Sequence, residues 1–223
     1  MITTGYPFSS ATKTEIVDLA NGRSCRDLAE FPVEILGAVG ANLQGTPVVC
    51  GGSSSSFEPQ KICYGFTNGR WQEYPSLKEE RSYAAGVVYE REWHVFGGST
   101  IQKTSEIVNE NGEIVDGPAL PTAVQKHAIT FVNQTVSILS GGVISANSAS
   151  SQTFYYNHLT KIFTSGPTLL EGRRYHGSAT IVDKVTKSKI PLVTGGYNSD
   201  WDEMNSTEML INGHWQKGTI YLM

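Results

Sequence analysis

Short apolar strands that run into a pair of glycines recur along the chain. Four copies end as VVCGG at residue 52, HVFGG at 98, SILSGG at 142 and PLVTGG at 196, and a degenerate copy, ITTGY, opens the sequence. The first glycines of the five copies are Gly5, Gly51, Gly97, Gly141 and Gly195, so successive copies are 46, 46, 44 and 54 residues apart. We interpret the four full doublets as structural repeat glycines: Gly51, Gly52, Gly97, Gly98, Gly141, Gly142, Gly195 and Gly196.

Each period also contains three further strands. One apolar strand precedes the glycine pair, near Ala38, Ala85 and Ala128, and GSATIV at 177–182 lies further back because the insert DKVTKSKIP lengthens its hairpin. The other two strands follow the pair and flank a turn, after which a bulky residue recurs at Trp71, Ile114, Phe163 and Trp215. Asn-Gly turns at 21, 68, 111 and 212 supply the positive φ angles that two-residue hairpins need. A strand-rich period in the forties predicts an all-β propeller of four-stranded blades.

These features resemble the kelch repeat family. The matching residues are Tyr197 after the glycine doublet, Trp71 and Trp215 some twenty residues after theirs, and His127 and His176 at the start of the next unit. The first unit departs from the pattern at Tyr6 and Ser24, and Ile114 and Phe163 stand at the Trp position. The resemblance covers nearly the whole chain and implies a single kelch propeller domain, 1–223, with about five units at 1–30, 31–77, 78–120, 121–169 and 170–223.

The chain ends affect how such a ring would close. The first unit starts at what would be the second strand of its blade, and the chain ends just past the fourth strand of the last unit. Either the 219–223 segment closes a five-bladed ring, or the chain is a fragment of a longer protein. Because kelch rings more often have six or seven blades, we expect a fragment. The opening residues MITTGYPFSS lack the charged start and apolar core of a signal peptide.

Composition argues against two classes of partner. The net charge is −4 and the basic residues are scattered, whereas a nucleic-acid face needs clustered Lys and Arg. No apolar run approaches the roughly 18 residues of a membrane span. We therefore expect neither a nucleic-acid partner nor a membrane span.

The cysteines and sequons bear on the compartment. Cys50 and Cys63 lie on neighbouring strands and are a candidate disulfide, with two buried free thiols as the alternative. The sequons at Asn133 and Asn205 are candidate N-glycosylation sites. Sequons also arise by chance and a third cysteine, Cys25, is left over, so the balance favours an extracellular or secretory location only slightly over a cytosolic one.

Catalytic patterns are not evident in the sequence. The five histidines lack metal-ligand spacing, and no Gly-x-Ser-x-Gly elbow occurs. His127 and His176 share one repeat position, which favours a structural role. The kelch family includes a copper oxidase, but Cys63 next to Tyr64 does not by itself provide its crosslinked site. We expect no enzyme activity, no metal and no cofactor.

Binding is expected on the face that carries the longer loops. Strand parity brings 53–60, 99–104, 143–151 and 197–205 to the same side as 77–82, 122–126 and 170–175, whereas the opposite turns are tight. Long loops on a rigid scaffold commonly carry binding residues. The candidate anchors are Arg81, Tyr83, Lys126, Arg173, Arg174, Tyr175, Tyr197, Trp201 and Asp202. For each of them the alternative is a structural role, such as bracing neighbouring blades.

The resulting hypothesis is a non-catalytic kelch propeller that binds a protein or peptide. The family resemblance implies two settings for such a module, namely the substrate-recognition part of a ubiquitin-ligase adaptor or an extracellular adhesion module. A secreted kelch enzyme, either copper oxidase-like or sugar-processing, is the alternative from another class.

Overall fold

The computed structural model describes residues 2–3, 12–18, 23–25, 28–99, 101–145, 148–183 and 185–218. Over these residues the chain is all-β, without a helix, and it forms four four-stranded antiparallel sheets, one three-stranded sheet and one two-stranded sheet. Several features of the sequence lie outside the described residues, namely Gly5, Tyr6, the Asn-Gly turn at 21 and the 219–223 segment.

The strands follow one another along the chain. The first sheet contains β1 (Ile2–Thr3), β2 (Thr14–Asp18) and β3 (Arg23–Cys25). The second contains β4 (Val39–Leu43), β5 (Thr46–Cys50), β6 (Cys63–Thr67) and β7 (Arg70–Tyr74). The third contains β8 (Ala85–Tyr89), β9 (Glu92–Phe96), β10 (Ser105–Val108) and β11 (Ile114–Asp116).

Two larger sheets and one small sheet complete the list. The fourth sheet contains β12 (Ala128–Phe131), β13 (Val136–Ser140), β16 (Thr153–Asn157) and β17 (Ile162–Ser165), and its long loop forms the two-stranded sheet of β14 (Val143–Ser145) and β15 (Ser148–Ala149). The fifth contains β18 (Gly177–Val182), β19 (Lys189–Thr194), β20 (Thr207–Ile211) and β21 (His214–Gly218). In each four-stranded sheet the glycine pair follows the second strand, as the sequence predicts.

Two compact units make up the chain. Unit 1 comprises Met1–Val95 and Glu106–Asp116, and unit 2 comprises Phe96–Ser105 and Gly117–Met223. In unit 1, Leu77, Trp93, Val95 and Val108 belong to one buried apolar cluster. In unit 2, the inward residues Ile138, Val193, Leu210 and Trp215 form another. The expected single domain stays a prediction.

The Asn-Gly pairs do not all make the same turn. Asn68–Gly69 and Asn212–Gly213 have positive φ at both residues and close two-residue hairpins, as predicted. At 111–112 only Gly112 has positive φ, at 77°. There the loop is longer, and the Asn109 side chain accepts hydrogen bonds from the backbone N–H groups of Asn111 and Glu113. The side chain of Asn109 therefore organises the turn that the dipeptide was expected to form.

The glycine doublets lie close to the backbone that precedes the next sheet. The N–H of Gly52 donates to the carbonyl of Arg81 in unit 1, and the N–H of Gly142 donates to that of Arg173 in unit 2, at 2.7 and 2.8 Å. A Cβ on Gly142 would lie 2.6 Å from the carbonyl oxygen of Gln125 and 2.7 Å from the Cβ of His127. The doublet is therefore required by both its positive φ and its packing.

We expect Gly142→Ala to lower the free energy of unfolding by about 2 kcal/mol, since positive φ strain and overpacking act together. Gly213→Ala is the matched control, because Gly213 has φ 80° and no atom of the described residues lies within 4 Å of where its Cβ would be. It should cost about 1 kcal/mol. Urea unfolding followed by circular dichroism measures both. Equal losses of unfolding free energy in the two variants would show that the backbone around residue 142 shifts to accommodate a Cβ.

Cys50 and Cys63 form a disulfide between directly opposed residues of β5 and β6, with their Cα atoms 4.1 Å apart. The neighbouring Gly51 N–H bonds to the carbonyl of Ile62, which makes 50/63 a non-hydrogen-bonded pair, where side chains come closest. In the fifth sheet the same place is held by Thr194 and Thr207, whose hydroxyls hydrogen-bond at 2.8 Å. The disulfide thus stands where the fifth sheet has a polar cross-strand contact.

Candidate functional site

The nine candidate anchor residues divide between the two units. Arg81 and Tyr83 lie in unit 1, and the other seven lie in unit 2. Of those seven, Tyr175, Trp201 and Asp202 are exposed, and Lys126 and Tyr197 are half-buried. The three arginines, Arg81, Arg173 and Arg174, are buried, with 0–1% of their surface exposed. This corrects the expected exposure of the arginines, because a side chain without accessible surface cannot anchor a partner.

Arg81 and Arg173 are the cationic halves of two similar buried ion pairs. In unit 2 the guanidinium of Arg173 donates to Glu208 at 2.8 Å and also to the carbonyls of Gly195 and Ser206. In unit 1, Arg81 donates to Glu106 at 2.8 Å. Each carboxylate also accepts two backbone N–H groups from the segment that carries its arginine. These arginines join a loop to the third strand of the sheet that the loop leads into, which is a structural role.

The equivalent positions of the repeat carry apolar residues instead. Ile35 and Tyr64 stand where Arg81 and Glu106 stand, and they belong to one buried apolar cluster of unit 1. Val124 and Phe154 occupy the corresponding positions in the fourth sheet. The loop position therefore carries an arginine in the sheets whose third strand has a glutamate. It carries an aliphatic residue in the sheets whose third strand has an aromatic residue at that place.

Arg174 has a different environment from Arg173. Its guanidinium carbon lies 3.6 Å from the centre of the Trp201 ring, which is a close cation–π stack. It also donates to the carbonyl of Ser199 at 3.3 Å, and its backbone pairs with Tyr197. Arg174 thus supports the inner face of Trp201, while half of the Trp201 surface remains exposed.

Three aromatic side chains gather around this arginine. Tyr175 lies 6.3 Å from both Tyr197 and Trp201 between ring centroids, and Tyr197 lies 5.9 Å from Trp201. The ammonium of Lys126 lies 4.9 Å from the centre of the Tyr175 ring. We call Tyr175, Tyr197 and Trp201 the aromatic surface. The sequence predicted all three on the face with the longer loops but gave no indication that they touch.

The loop that carries Trp201 is held by one asparagine. The Asn198 side chain accepts the backbone N–H groups of Asp200 and Asp202 and donates to the Asp202 carboxylate, at 2.9–3.0 Å. Backbone bridges of Tyr197 with Arg174 and with Glu203 close the loop at its base. A loop with this many internal bonds is preorganised, which lowers the entropy lost on binding. Asn198 was not among the candidate residues, although an Asn placed two residues before an acidic turn is a recognisable signal.

Trp201 lies at the loop tip with φ 66°, an unfavourable value for a bulky residue. Equivalent loops in the second and third sheets also place a large apolar residue at positive φ, namely Phe57 at 61° and Ile101 at 64°. Such strain persists only where the surroundings enforce it. For Trp201 the surroundings are the Arg174 stack and the Asn198 turn.

A cleft of about 640 Å³ lies beside the aromatic surface in unit 2. Its lining includes Glu171, Asp200, Glu203 and Lys217, so carboxylates outnumber cations by three to one among the described lining residues. Glu171 accepts a hydrogen bond from Ser206, whereas none of the ion pairs found among the described residues involves Asp200 or Glu203. The described lining of the cleft is therefore richer in acidic than in basic side chains, and the cleft shares its wall with the Trp201 loop.

No family model and no curated protein matches this chain. Within the described ranges, no helix has the length and apolar character to cross a membrane. The same part of the chain contains no group of three or more His, Cys, Asp or Glu side chains arranged to hold a metal ion. The kelch resemblance and the expected lack of catalysis stay predictions.

His127 and His176 pack under the glycine doublets of unit 2. A Cβ on Gly141 would lie 2.7 Å from the His176 ring, and the His127 Cβ faces Gly142. The His176 ring contacts the Ser140 hydroxyl at 3.1 Å, whereas neither ring nitrogen of His127 has a hydrogen-bond partner among the residues that the structure describes. Burial lowers the pKa of both imidazoles to about 3, and the nearby Arg173 and His127 add to the shift at His176. Both rings are therefore neutral and structural in character.

The remaining candidates have simpler surroundings. Tyr83 is half-buried, its N–H donates to the Gly37 carbonyl at 2.7 Å, and its ring lies against Gly37. Tyr175 makes the equivalent backbone bond to Lys126 at 3.0 Å. Asn133 is exposed on the β12–β13 turn, and Asn205 is exposed on the lining of the cleft. Both sequons are sterically accessible, and their glycosylation stays a prediction.

Proposed function

We propose that this chain is a non-catalytic, kelch-type propeller module, complete or partial, that binds a protein or peptide through the loops of unit 2. The observation that carries the proposal is the aromatic surface. An exposed tryptophan is held at an unfavourable φ by a buried arginine and an organised loop. Tryptophan, tyrosine and arginine are also the residues that most often dominate interface energies.

A purely structural role accounts poorly for Trp201. Its loop is already closed by backbone bridges and by Asn198, so closure of the loop does not depend on the indole. Half of the Trp201 surface is exposed beside the exposed Tyr175, which leaves apolar area in water. Contiguous exposed apolar area on a soluble protein often marks an interaction site.

The test is selection of binders from a random twelve-residue peptide library displayed on phage, with the purified chain immobilised. We expect the enriched peptides to lose at least tenfold in affinity against Trp201→Ala and less against Tyr175→Ala, as measured by biolayer interferometry. A hot-spot tryptophan is worth about 2 kcal/mol or more, which justifies this threshold.

Leu159→Ala is the matched control, because Leu159 is an exposed apolar residue of the same unit in the β16–β17 turn. Its affinities should equal those of the unmodified chain. If the peptides bind Trp201→Ala and the unmodified chain equally, the aromatic surface is not the binding site. If no peptide is enriched over a blank surface, the proposed function itself is overturned.

A further inference from the structure

We infer that the partner segment is basic: a lysine or arginine enters the cleft beside the Trp201 loop while a neighbouring apolar residue packs on the aromatic surface. This inference rests on the proposed function and specifies the chemistry of its ligand. Its basis is the placement of an exposed tryptophan on the same short loop as two carboxylates of the cleft, Asp200 and Glu203.

The carboxylates of the cleft favour a ligand side chain with a positive charge. Glu171, Asp200 and Glu203 face a space whose described lining contains one cation, Lys217. Carboxylates gathered in a concave space attract a ligand of opposite charge more strongly than the same carboxylates scattered over a flat surface do. A cationic side chain would gain charge-assisted hydrogen bonds there, and an acidic one would be repelled.

The aromatic surface determines where the apolar contact lies. Arg174 already covers the inner face of Trp201 at 3.6 Å, so a partner can reach only the outer part of the ring. A cation already stacked on one face weakens the attraction of the ring for a second cation. The basic group of the partner therefore belongs in the cleft and not over Trp201, and the ring takes an apolar side chain.

Lys126 brings the reverse charge to the aromatic surface. The ammonium of Lys126 lies over the ring of Tyr175, and that ring lies next to the ring of Trp201. The site is therefore polarised, with carboxylates at the cleft and an ammonium at Tyr175. A segment with a basic residue on one side of its apolar residue and a neutral or acidic residue on the other fits this arrangement.

A neutral glycan is the main competing ligand, since aromatic rings beside polar side chains also bind sugars. A glycan would not use the imbalance of charge in the cleft. Removing charge from Asp200 and Glu203 while keeping the shape of their side chains separates the two ligands.

The experiment repeats the peptide selection on the unmodified chain and on the double variant Asp200→Asn/Glu203→Gln. Sequencing of the unmodified-chain pool should show Lys or Arg enriched at least threefold within three positions of an apolar residue. On the double variant that enrichment should disappear. The affinity of individual basic peptides should fall at least tenfold, and the salt dependence of binding between 50 and 300 mM should become shallower.

Glu34→Gln/Glu58→Gln is the control variant, because it makes the same change in net charge at exposed positions of unit 1. It should leave the selection unchanged, and thermal melts should show that both double variants fold. Trp201-dependent peptides without a basic bias would overturn the inference and leave the proposed function standing. Binding of a neutral oligosaccharide array that depends on Trp201 but not on the two carboxylates would also overturn it.

Discussion

Arg173→Met is expected to lower the free energy of unfolding of unit 2 by about 4 kcal/mol. The substitution leaves the Glu208 carboxylate buried and without its cation. Removing one partner of a buried ion pair typically costs about 3–5 kcal/mol. The carbonyls of Gly195 and Ser206 also lose a donor. Urea unfolding followed by tryptophan fluorescence and far-UV circular dichroism measures the loss.

Two further variants show whether the ion pair is the cause. Arg91→Met removes the Arg91–Glu110 pair of unit 1, in which the arginine side chain is 71% exposed, and should cost less than about 0.5 kcal/mol. Arg173→Ile/Glu208→Tyr installs the residues that the second sheet carries at the same positions, Ile35 and Tyr64. The double variant should recover at least half of the loss. If Arg173→Met alone unfolds like the unmodified chain, the guanidinium is not a brace.

The second large effect concerns pH. The folded state holds His127 and His176 at a pKa of about 3, and an unfolded histidine has a pKa near 6.5. Between these values the unfolded chain binds more protons than the folded chain. The stabilisation due to neutral burial is therefore complete above about pH 6.5 and is lost as pH falls toward 3. Each histidine should lose about 2 kcal/mol between pH 7.5 and pH 5, and the two together about 4 kcal/mol.

Alanine at residue 127 isolates this contribution, because Ala38 and Ala84 occupy the same repeat position naturally. Urea midpoints of the unmodified chain and of His127→Ala, measured from pH 7.5 to pH 5, should converge as the pH falls. His214→Ala, at an exposed position of β21, is the control for loss of an imidazole that is not buried. Parallel curves for His127→Ala would show that the buried ring does not resist protonation.

Much of the fold was predictable because repetition makes weak local signals add up. One Gly-Gly after an apolar strand means little, but the doublets after residues 50, 96, 140 and 194 recur in register. The four-stranded antiparallel sheets and the all-β class are confirmed over the described residues. The prediction failed locally at residue 111, since the Asn-Gly dipeptide indicates a turn but not its length.

The site was predictable only as a region. Loop length placed Tyr175, Tyr197 and Trp201 on one face, but the stack of Trp201 on Arg174 depends on loops far apart in the sequence. The burial of Arg81 and Arg173 was missed because arginine is usually exposed, and the carboxylate that allows its burial lies 25 or 35 residues downstream. Comparing the repeats position by position would have revealed the partner, because glutamate accompanies arginine in both copies.

The Cys50–Cys63 disulfide can form early in folding. Its cysteines are 13 residues apart on adjoining strands, so the bond needs only one hairpin and can form before the later sheets have folded. Once the sheet has packed, both cysteines are almost completely buried, and exchange with an outside thiol requires that the strands first open. Formation and exchange of the bond are therefore faster before the sheet packs than after it.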